Sequence, residues 1–289
     1  MSSDDLLVFV DPMLDEVLKP YQRILERCEP YVVATTKLQA QLDLRPLGLE
    51  ILPEHRFDPL KVRSAPFLDR VQTLDALTYG PVGMAMPRWA LYDCAEMAGA
   101  LVGLGTRAAH LSAPLRRTFA IPDDYDGLVA LSMYIAVPLL GERRWLSHSI
   151  CSINEVAPTA APPNMTVLTM ALGLVTVGAR HFTGATQWGS PKLAAYSKFA
   201  PLSLLTAWSP AHDDPGTLAF QFEVTAQRIE RALDPDRSAP PAPRLLDVGD
   251  RATLIETQAR LEAGERLAVV GPPIERGAIR YAPIMEMSE

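Results

Sequence analysis

Two stretches of sequence, LVALSMYIAV at 128–137 and WLSHSICSI at 145–153, predict the centre of the fold. Both combine β-branched and apolar residues with partial alternation, and the segment Pro138–Arg144, which contains Gly141, separates them. This pattern is typical of a β-hairpin. Side chains alternate between the two faces of a strand, so odd-numbered and even-numbered residues of the second stretch line opposite faces.

An apolar helix is predicted directly after the hairpin. The stretch TVLTMALGLVTVGA at 166–179 follows a proline-rich connector at 157–163. Asn164 is a favoured N-cap residue, so the helix is expected to span Met165–Ala179. The run is too short to cross about 30 Å of hydrocarbon, and it therefore predicts a buried core helix.

The sequence on either side of this core alternates between short strands and helices. Upstream, a helix at 67–77 and short strands at 31–35 and 89–92 are expected. Downstream, the patterns predict a strand at 183–188, a helix at 192–199, strands at 202–208 and 217–224, and a helix at 225–233.

These elements predict the fold class and the domain organisation. The expected class is α/β (α+β), with a mixed, mostly antiparallel central sheet flanked by helices. The main domain is expected to cover 1–233. A proline-rich linker at 234–243 and a small C-terminal appendage at 244–289 follow it.

Charge and composition exclude several classes of protein. Lys and Arg number 27 and Asp and Glu number 34, so the formal net charge is −7. This balance argues against nucleic acid as the partner, because phosphate binding needs a basic surface. The N-terminus lacks the positive region of a secretory signal, and three widely spaced cysteines do not form a disulfide framework. We therefore expect a soluble cytoplasmic protein without a membrane partner.

A glycine motif offers one functional reading. Residues Gly103–Ala108 fit the pattern G-x-G-x-x-A, and Asp123 and Asp124 lie near the distance expected of a ribose-binding acid. Binding of a dinucleotide requires a strand before the glycines and a helix after them, whose N–H groups face the pyrophosphate. The alternative is a helix end or a close packing point.

The cysteines and histidines give weaker indications. Cys94 and Cys151 are expected to be small buried hydrophobic residues, since a nucleophile would need a nearby base. The segment His212-Asp213-Asp214 resembles a metal or proton-transfer site, but turn chemistry explains the same residues. No histidine has ligand spacing to another, so no metal site is predicted.

The element order from 128 to 224 resembles the C-terminal half of the GNAT N-acyltransferase superfamily. In that family a hairpin strand leads into a helix that cradles the acyl-CoA pyrophosphate, followed by a strand, a helix and a final pair of strands. The segment YSKFAP at 196–201 is similar to the family's Y-x-x-x-G-F pattern in its tyrosine. The family's glycine loop, Q/R-x-x-G-x-G/A, is replaced here by PTAAPPNMT at 158–166.

The resemblance implies a set of site residues. Tyr196 is the implied general acid that protonates the leaving thiolate, and Glu155 stands where some members hold a base. The backbone near Ser152 and Asn154 would stabilise the oxyanion. The remaining candidates form the phosphate cradle at the start of the helix: Asn164, Met165 and Thr166.

The leading functional hypothesis is an N-acyltransferase-like enzyme. It would move an acyl group from acyl-CoA or a related thioester to a small-molecule or peptide amine. One alternative is a degenerate GNAT-like relative that acts as a non-catalytic binding or assembly module, which the missing glycine loop favours. A second alternative is a nucleotide-dependent oxidoreductase that uses the Gly103–Ala108 segment.

Overall fold

The computed structural model describes residues 17–158, 163–211, 216–236 and 244–287. The helices are α1 (Gln22–Leu25), α2 (Thr36–Gln39), α3 (Ala65–Tyr79), α4 (Arg88–Leu91), α5 (Ala113–Thr118), α6 (Met165–Thr176), α7 (Lys192–Ser197), α8 (Ala226–Leu233) and α9 (Arg251–Glu262). The strands are β1 (Glu29–Val33), β2 (Arg56–Phe57), β3 (Ala100–Arg107), β4 (Leu128–Ala130), β5 (Ser132–Pro138), β6 (Arg144–Ser152), β7 (His181–Gln187), β8 (Leu202–Thr206), β9 (Thr217–Glu223), β10 (Arg244–Asp247), β11 (Leu267–Val269), β12 (Ile274–Arg276) and β13 (Ile279–Glu286). A π-helix, Tyr92–Met97, directly follows α4.

The chain divides into two compact units. The first contains residues 1–143 and 147–179, and the second contains 144–146 and 180–289. In each unit, helices accompany a sheet whose strands pair mostly in antiparallel fashion. The predicted α/β class with a mostly antiparallel sheet is therefore confirmed. This division falls after α6, and the expected bounds of a main domain at 1–233, a linker at 234–243 and an appendage at 244–289 stay a prediction.

The sheet of the first unit contains the predicted hairpin. Its strand order is β2-β1-β3-β5-β6, and β4 also pairs with β3. The β1–β3, β3–β4 and β3–β5 pairs are antiparallel, and β1–β2 is parallel. The first predicted run is divided at Leu131, whose N–H donates to the carbonyl of Leu104 at 2.9 Å.

Strand β3 contains the glycine motif. Every residue of β3 except Arg107 is buried, which is typical of a strand covered on both faces. A Cβ added at Gly103 would lie 2.0 Å from the Ser132 carbonyl oxygen and 2.7 Å from the Tyr31 hydroxyl. The glycine is therefore required by close packing. The segment lies within a strand and not at a strand-to-helix turn, so the geometry that dinucleotide binding requires is not present there.

Helix α6 is the core helix expected from its sequence, although it ends at Thr176 instead of Ala179. All its residues except Thr166 are buried, and it packs on β3 and β5. A Cβ added at Gly173 would lie 2.1 Å from the ring of Tyr134, so the helix approaches the sheet closely at this glycine. None of the described helices has the length and apolar character needed to cross a membrane.

The strands of the second unit pair in antiparallel fashion. The strand order is β10-β13-β11-β8-β9-β7, with β12 paired to β13. Strands β8 and β11 pair in antiparallel register, with Ala268 opposite Ser203. The described residues of the expected C-terminal appendage therefore belong to the same sheet as β7–β9. Of the expected linker, residues 237–243 lie outside the described residues.

The segment before β3 differs from its prediction. A strand was expected at 89–92, but the structure has α4 followed by the π-helix. Trp89 is 68% exposed, whereas Leu91 and Glu96 are buried. The apolar residues of this segment thus follow helical spacing, and the short strand-like run WALY misled the interpretation.

Candidate functional site

Several of the predicted site residues meet where β6 ends. The main-chain N–H of Ser152 donates to Oε1 of Glu155 at 3.1 Å, and the N–H of Asn154 donates to Oγ of Ser152 at 3.4 Å. Together these bonds form a capping box around the turn Ile153–Glu155. The Ser152 hydroxyl also donates to Oδ1 of Asn154 at 3.1 Å.

The start of α6 joins this cluster through one hydroxyl. Oγ1 of Thr166 lies 2.9 Å from Oγ of Ser152, so the two side chains connect β6 to the first turn of the helix. Met165 is fully buried. Asn164 has a left-handed backbone, with φ of 63°, and its side chain makes no cap hydrogen bond to the described residues of α6. Asn164 nevertheless occupies the N-cap position of this helix, as the sequence predicts.

Each predicted main-chain donor at this site is bonded within the chain. The N–H of Ile153 donates to the carbonyl of Leu131 at 2.7 Å, and the N–H groups of Ser152 and Asn154 serve the capping box. Stabilising an oxyanion with these groups would require the capping box to open. Glu155 itself is exposed, so its carboxylate is accessible from solvent.

Tyr196 lies in the second unit and is packed among aromatic rings. It is 3% exposed, with its ring centroid 5.1 Å from that of Phe220 and 5.6 Å from that of Phe182. These contacts give the ring a structural role in the core of this unit. The general-acid role of its hydroxyl stays a prediction.

Tyr79, which the sequence reading did not single out, contacts the backbone of β6. Its hydroxyl donates to the carbonyl of Ile150 at 2.6 Å and accepts from the N–H of the same residue at 3.3 Å. It also accepts from the Ser149 hydroxyl at 3.0 Å. A lone tyrosine at the end of a helix has no spacing signal that would have predicted this contact.

Two buried carboxyl groups whose pKa is raised lie elsewhere in the first unit. Burial raises the pKa of Asp75 to about 6. The N–H of Met86, which donates to Oδ2 of Asp75 at 2.7 Å, lowers the pKa and offsets part of that effect. Burial also raises the pKa of Glu96 to about 7, although Arg88 opposes that shift. Neither residue belongs to a recognisable motif, so only the fold reveals their environments.

Glu96 lines a pocket of about 300 Å³. The pocket wall comes from the segment 59–62, helix α3, helix α4 and the π-helix. Its apolar part includes Leu60, Val62 and Leu68, and its polar part includes Gln72 and Arg88. Strong burial of an ionisable group in a pocket identifies a candidate binding site on physical grounds.

The remaining candidates are placed as follows. Cys151 is buried in β6 as expected, whereas Cys94 is exposed on the π-helix, so the expectation that both are buried is wrong for Cys94. His212, Asp213 and Asp214 lie outside the described residues. Among the residues that the structure describes, no group of three or more His, Cys, Asp or Glu side chains is arranged to hold a metal ion.

No protein-family model matches the chain, and no curated protein sequence matches it.

Proposed function

We propose that the chain is an N-acyltransferase-like protein that moves an acyl group from a thioester of the acyl-CoA type to an amine. The observation that carries the proposal is the element order β5, β6, α6, β7, α7, β8 and β9. It is the order expected from the GNAT resemblance: hairpin, helix, strand, helix and two strands.

The reaction defines what each group would do. The amine nitrogen attacks the thioester carbonyl, so a C–N bond forms, the C–S bond breaks, and negative charge develops on the carbonyl oxygen. A base removes the proton from the attacking nitrogen, and an acid protonates the departing thiolate. Glu155 is the proposed base because its carboxylate is exposed beside the end of β6. Tyr196 is the proposed acid.

Helix α6 would supply the contact for the phosphate groups of the thioester. The first N–H groups of a helix have no partner within the helix, and the helix dipole favours an anion there. Met165 and Thr166 occupy this first turn. The Thr166 hydroxyl, already 2.9 Å from that of Ser152, adds a second donor to the same place.

A non-catalytic binding or assembly module is the second candidate. Two observations favour it: the main-chain N–H groups from Ser152 to Asn154 are bonded within the chain, and Tyr196 is 3% exposed. A protein that retained the fold without the reaction would tolerate both features.

The test is an assay of free thiol released from acetyl-CoA and longer acyl-CoAs in the presence of a panel of primary amines. We expect amine-dependent release by the wild-type chain and its loss in Glu155→Gln. The glutamine side chain can still accept from the N–H of Ser152, so the capping box is retained. Glu142→Gln, a change at an exposed turn, is the matched control and should leave release unchanged.

Tyr196→Phe tests the acid role in the same assay. The proposal expects slower thiol release, with Tyr281→Phe in the same unit as the control. Release that is equal in Tyr196→Phe and wild type would remove the acid role. An absence of release by a folded wild-type sample with every thioester and amine would favour the second candidate.

A further inference from the structure

Two residues that line the pocket beside the π-helix carry a buried hydrogen-bond acceptor without a partner among the described residues. Glu96 is 3% exposed, and its Oε1 is buried without a hydrogen-bond partner among the described residues. Oε1 of Gln72 is likewise buried and unpartnered within the described part of the chain. An unpaired buried acceptor costs free energy, and an unpaired carboxylate costs more. Both residues line the same pocket.

The orientation of the Gln72 amide is fixed by a neighbouring loop. Its Nε2 donates to the carbonyl of Met86 at 2.9 Å, and the N–H of Met86 donates to Asp75 at 2.7 Å. The amide nitrogen of Gln72 is therefore hydrogen-bonded within the chain, whereas its carbonyl oxygen has no partner among the described residues. A partner for Gln72 must consequently be a hydrogen-bond donor.

The rest of the pocket wall favours a ligand whose donor group is attached to an apolar part. Leu60, Val62, Leu68 and Leu91 line the wall together with the side chain of Tyr92. Leu60 is 55% exposed and Val62 is 91% exposed, so the apolar surface continues outwards from the pocket. Apolar residues exposed beside a cavity are a feature of ligand-binding sites.

The helix that carries Glu96 supports the same reading. Tyr92 and Glu96 both lie on the π-helix Tyr92–Met97, and both line the pocket. The π-helical turn is rare, and where it occurs it is frequently part of a functional site. Two cationic residues, Lys61 and Arg88, also line the pocket, and Arg88 is paired with Asp69 at 2.7 Å, so its charge is already partly balanced.

We infer that this pocket binds a primary amine, with the ammonium group donating to Glu96 and Gln72 and an apolar body lying against Leu60, Val62 and Tyr92. An ammonium group has three N–H donors and a positive charge, which suits one carboxylate and one amide oxygen. Binding would give the buried Oε1 atoms of Glu96 and Gln72 a hydrogen-bond donor. The inference does not depend on acyl transfer, since it concerns a site separate from Glu155 and needs no thioester.

The experiment measures thermal stabilisation of the full chain by phenethylamine at pH 8, with 2-phenylethanol as the uncharged probe of the same shape. We expect phenethylamine to raise the melting temperature in a saturable manner and 2-phenylethanol to do so much less. Glu96→Gln should remove most of the phenethylamine effect. Asp93→Asn removes one negative charge from an exposed position of the same π-helix, and it should keep the full effect.

A second variant keeps the test decisive if Glu96→Gln does not fold. Leu60→Trp places a larger side chain in the pocket wall without altering the carboxylate, and we expect it to weaken the response to phenethylamine. Equal shifts in wild type, Glu96→Gln and Leu60→Trp would overturn the inference. So would the absence of any saturable shift in the wild type.

Discussion

At the scale of single residues, Tyr79 illustrates how one hydroxyl can hold the backbone of a strand. Its oxygen serves both the carbonyl and the N–H of Ile150, and it also accepts from Ser149. Removing the hydroxyl would leave several polar groups short of a partner. The cost of such groups is about 1–3 kcal/mol when they are buried.

The first prediction follows from this contact. Tyr79→Phe should lower the free energy of unfolding by about 1–3 kcal/mol, measured by urea denaturation. Tyr125→Phe is the matched control, because the Tyr125 hydroxyl makes a single bond of 2.6 Å to the Leu128 carbonyl. A larger loss in Tyr125→Phe than in Tyr79→Phe would contradict the importance given to the Ile150 contact.

A second prediction concerns the pH dependence caused by Asp75. Burial raises its pKa to about 6, above the value of an unfolded chain, so the folded state binds more protons. The contribution of this group therefore favours the folded state at low pH and is lost as the pH rises through 6. As the pH rises from 5 to 7.5, the titration of Asp75 should therefore reduce the free energy of unfolding by about 1 kcal/mol.

Asp75→Asn tests that sign. The asparagine oxygen can still accept from the N–H of Met86, but the side chain no longer titrates. The pH dependence of unfolding should be shallower in Asp75→Asn than in wild type by that amount, whereas exposed Asp93→Asn should change it little. Identical pH profiles for wild type and Asp75→Asn would show that Asp75 titrates normally in the folded state.

The site residues divide into those that sequence could place and those that it could not. Ser152, Asn154 and Glu155 adjoin in sequence at a strand end, and Thr166 opens the next helix, so their proximity was predictable. Glu96 was not predictable, because a single carboxyl has no spacing pattern. Its unusual pKa comes from burial by distant segments.

At the scale of elements, period and length explain which predictions succeeded. Helix α6 has a long apolar run after its connector, and β8 and β9 flank a segment rich in turn residues, so all three were predicted. Strand β3 was harder, because its glycines suggested a dinucleotide motif, a helix end or a close packing point. The structure shows close packing against Leu128 of β4 and Ser132 of β5, a choice among the three that local sequence does not make.

The N-cap of α8 gives a prediction at this scale. Oγ1 of Thr225 accepts from the N–H of Arg228 at 3.2 Å. Thr225→Ala should reduce the free energy of unfolding by about 1 kcal/mol, because one N–H of the first turn loses its partner. Thr225→Ser also loses the methyl group but keeps the hydroxyl, so it isolates the cap; equal losses in both variants would assign the effect to the methyl group instead.

At the scale of the whole molecule, the class of fold was predictable but its division was not. Alternating short strands and helices indicate an α/β protein regardless of how the strands pair. The division into units depends on long-range pairing, such as that of β11 with β8, which joins residues on either side of a proline-rich segment. A proline-rich segment predicts a linker between domains. Here a strand after the segment pairs with a strand before it, so both belong to one unit.

Thioester binding by the whole chain is tested by calorimetric titration with CoA, acetyl-CoA and longer acyl-CoAs, with NAD as the control nucleotide. At equal ligand concentration, we expect stabilisation that grows with acyl length. A ligand at 100 times its Kd should stabilise the chain by about 2.7 kcal/mol. NAD should give none. A folded sample that shows no binding of CoA or any acyl-CoA would contradict the claim.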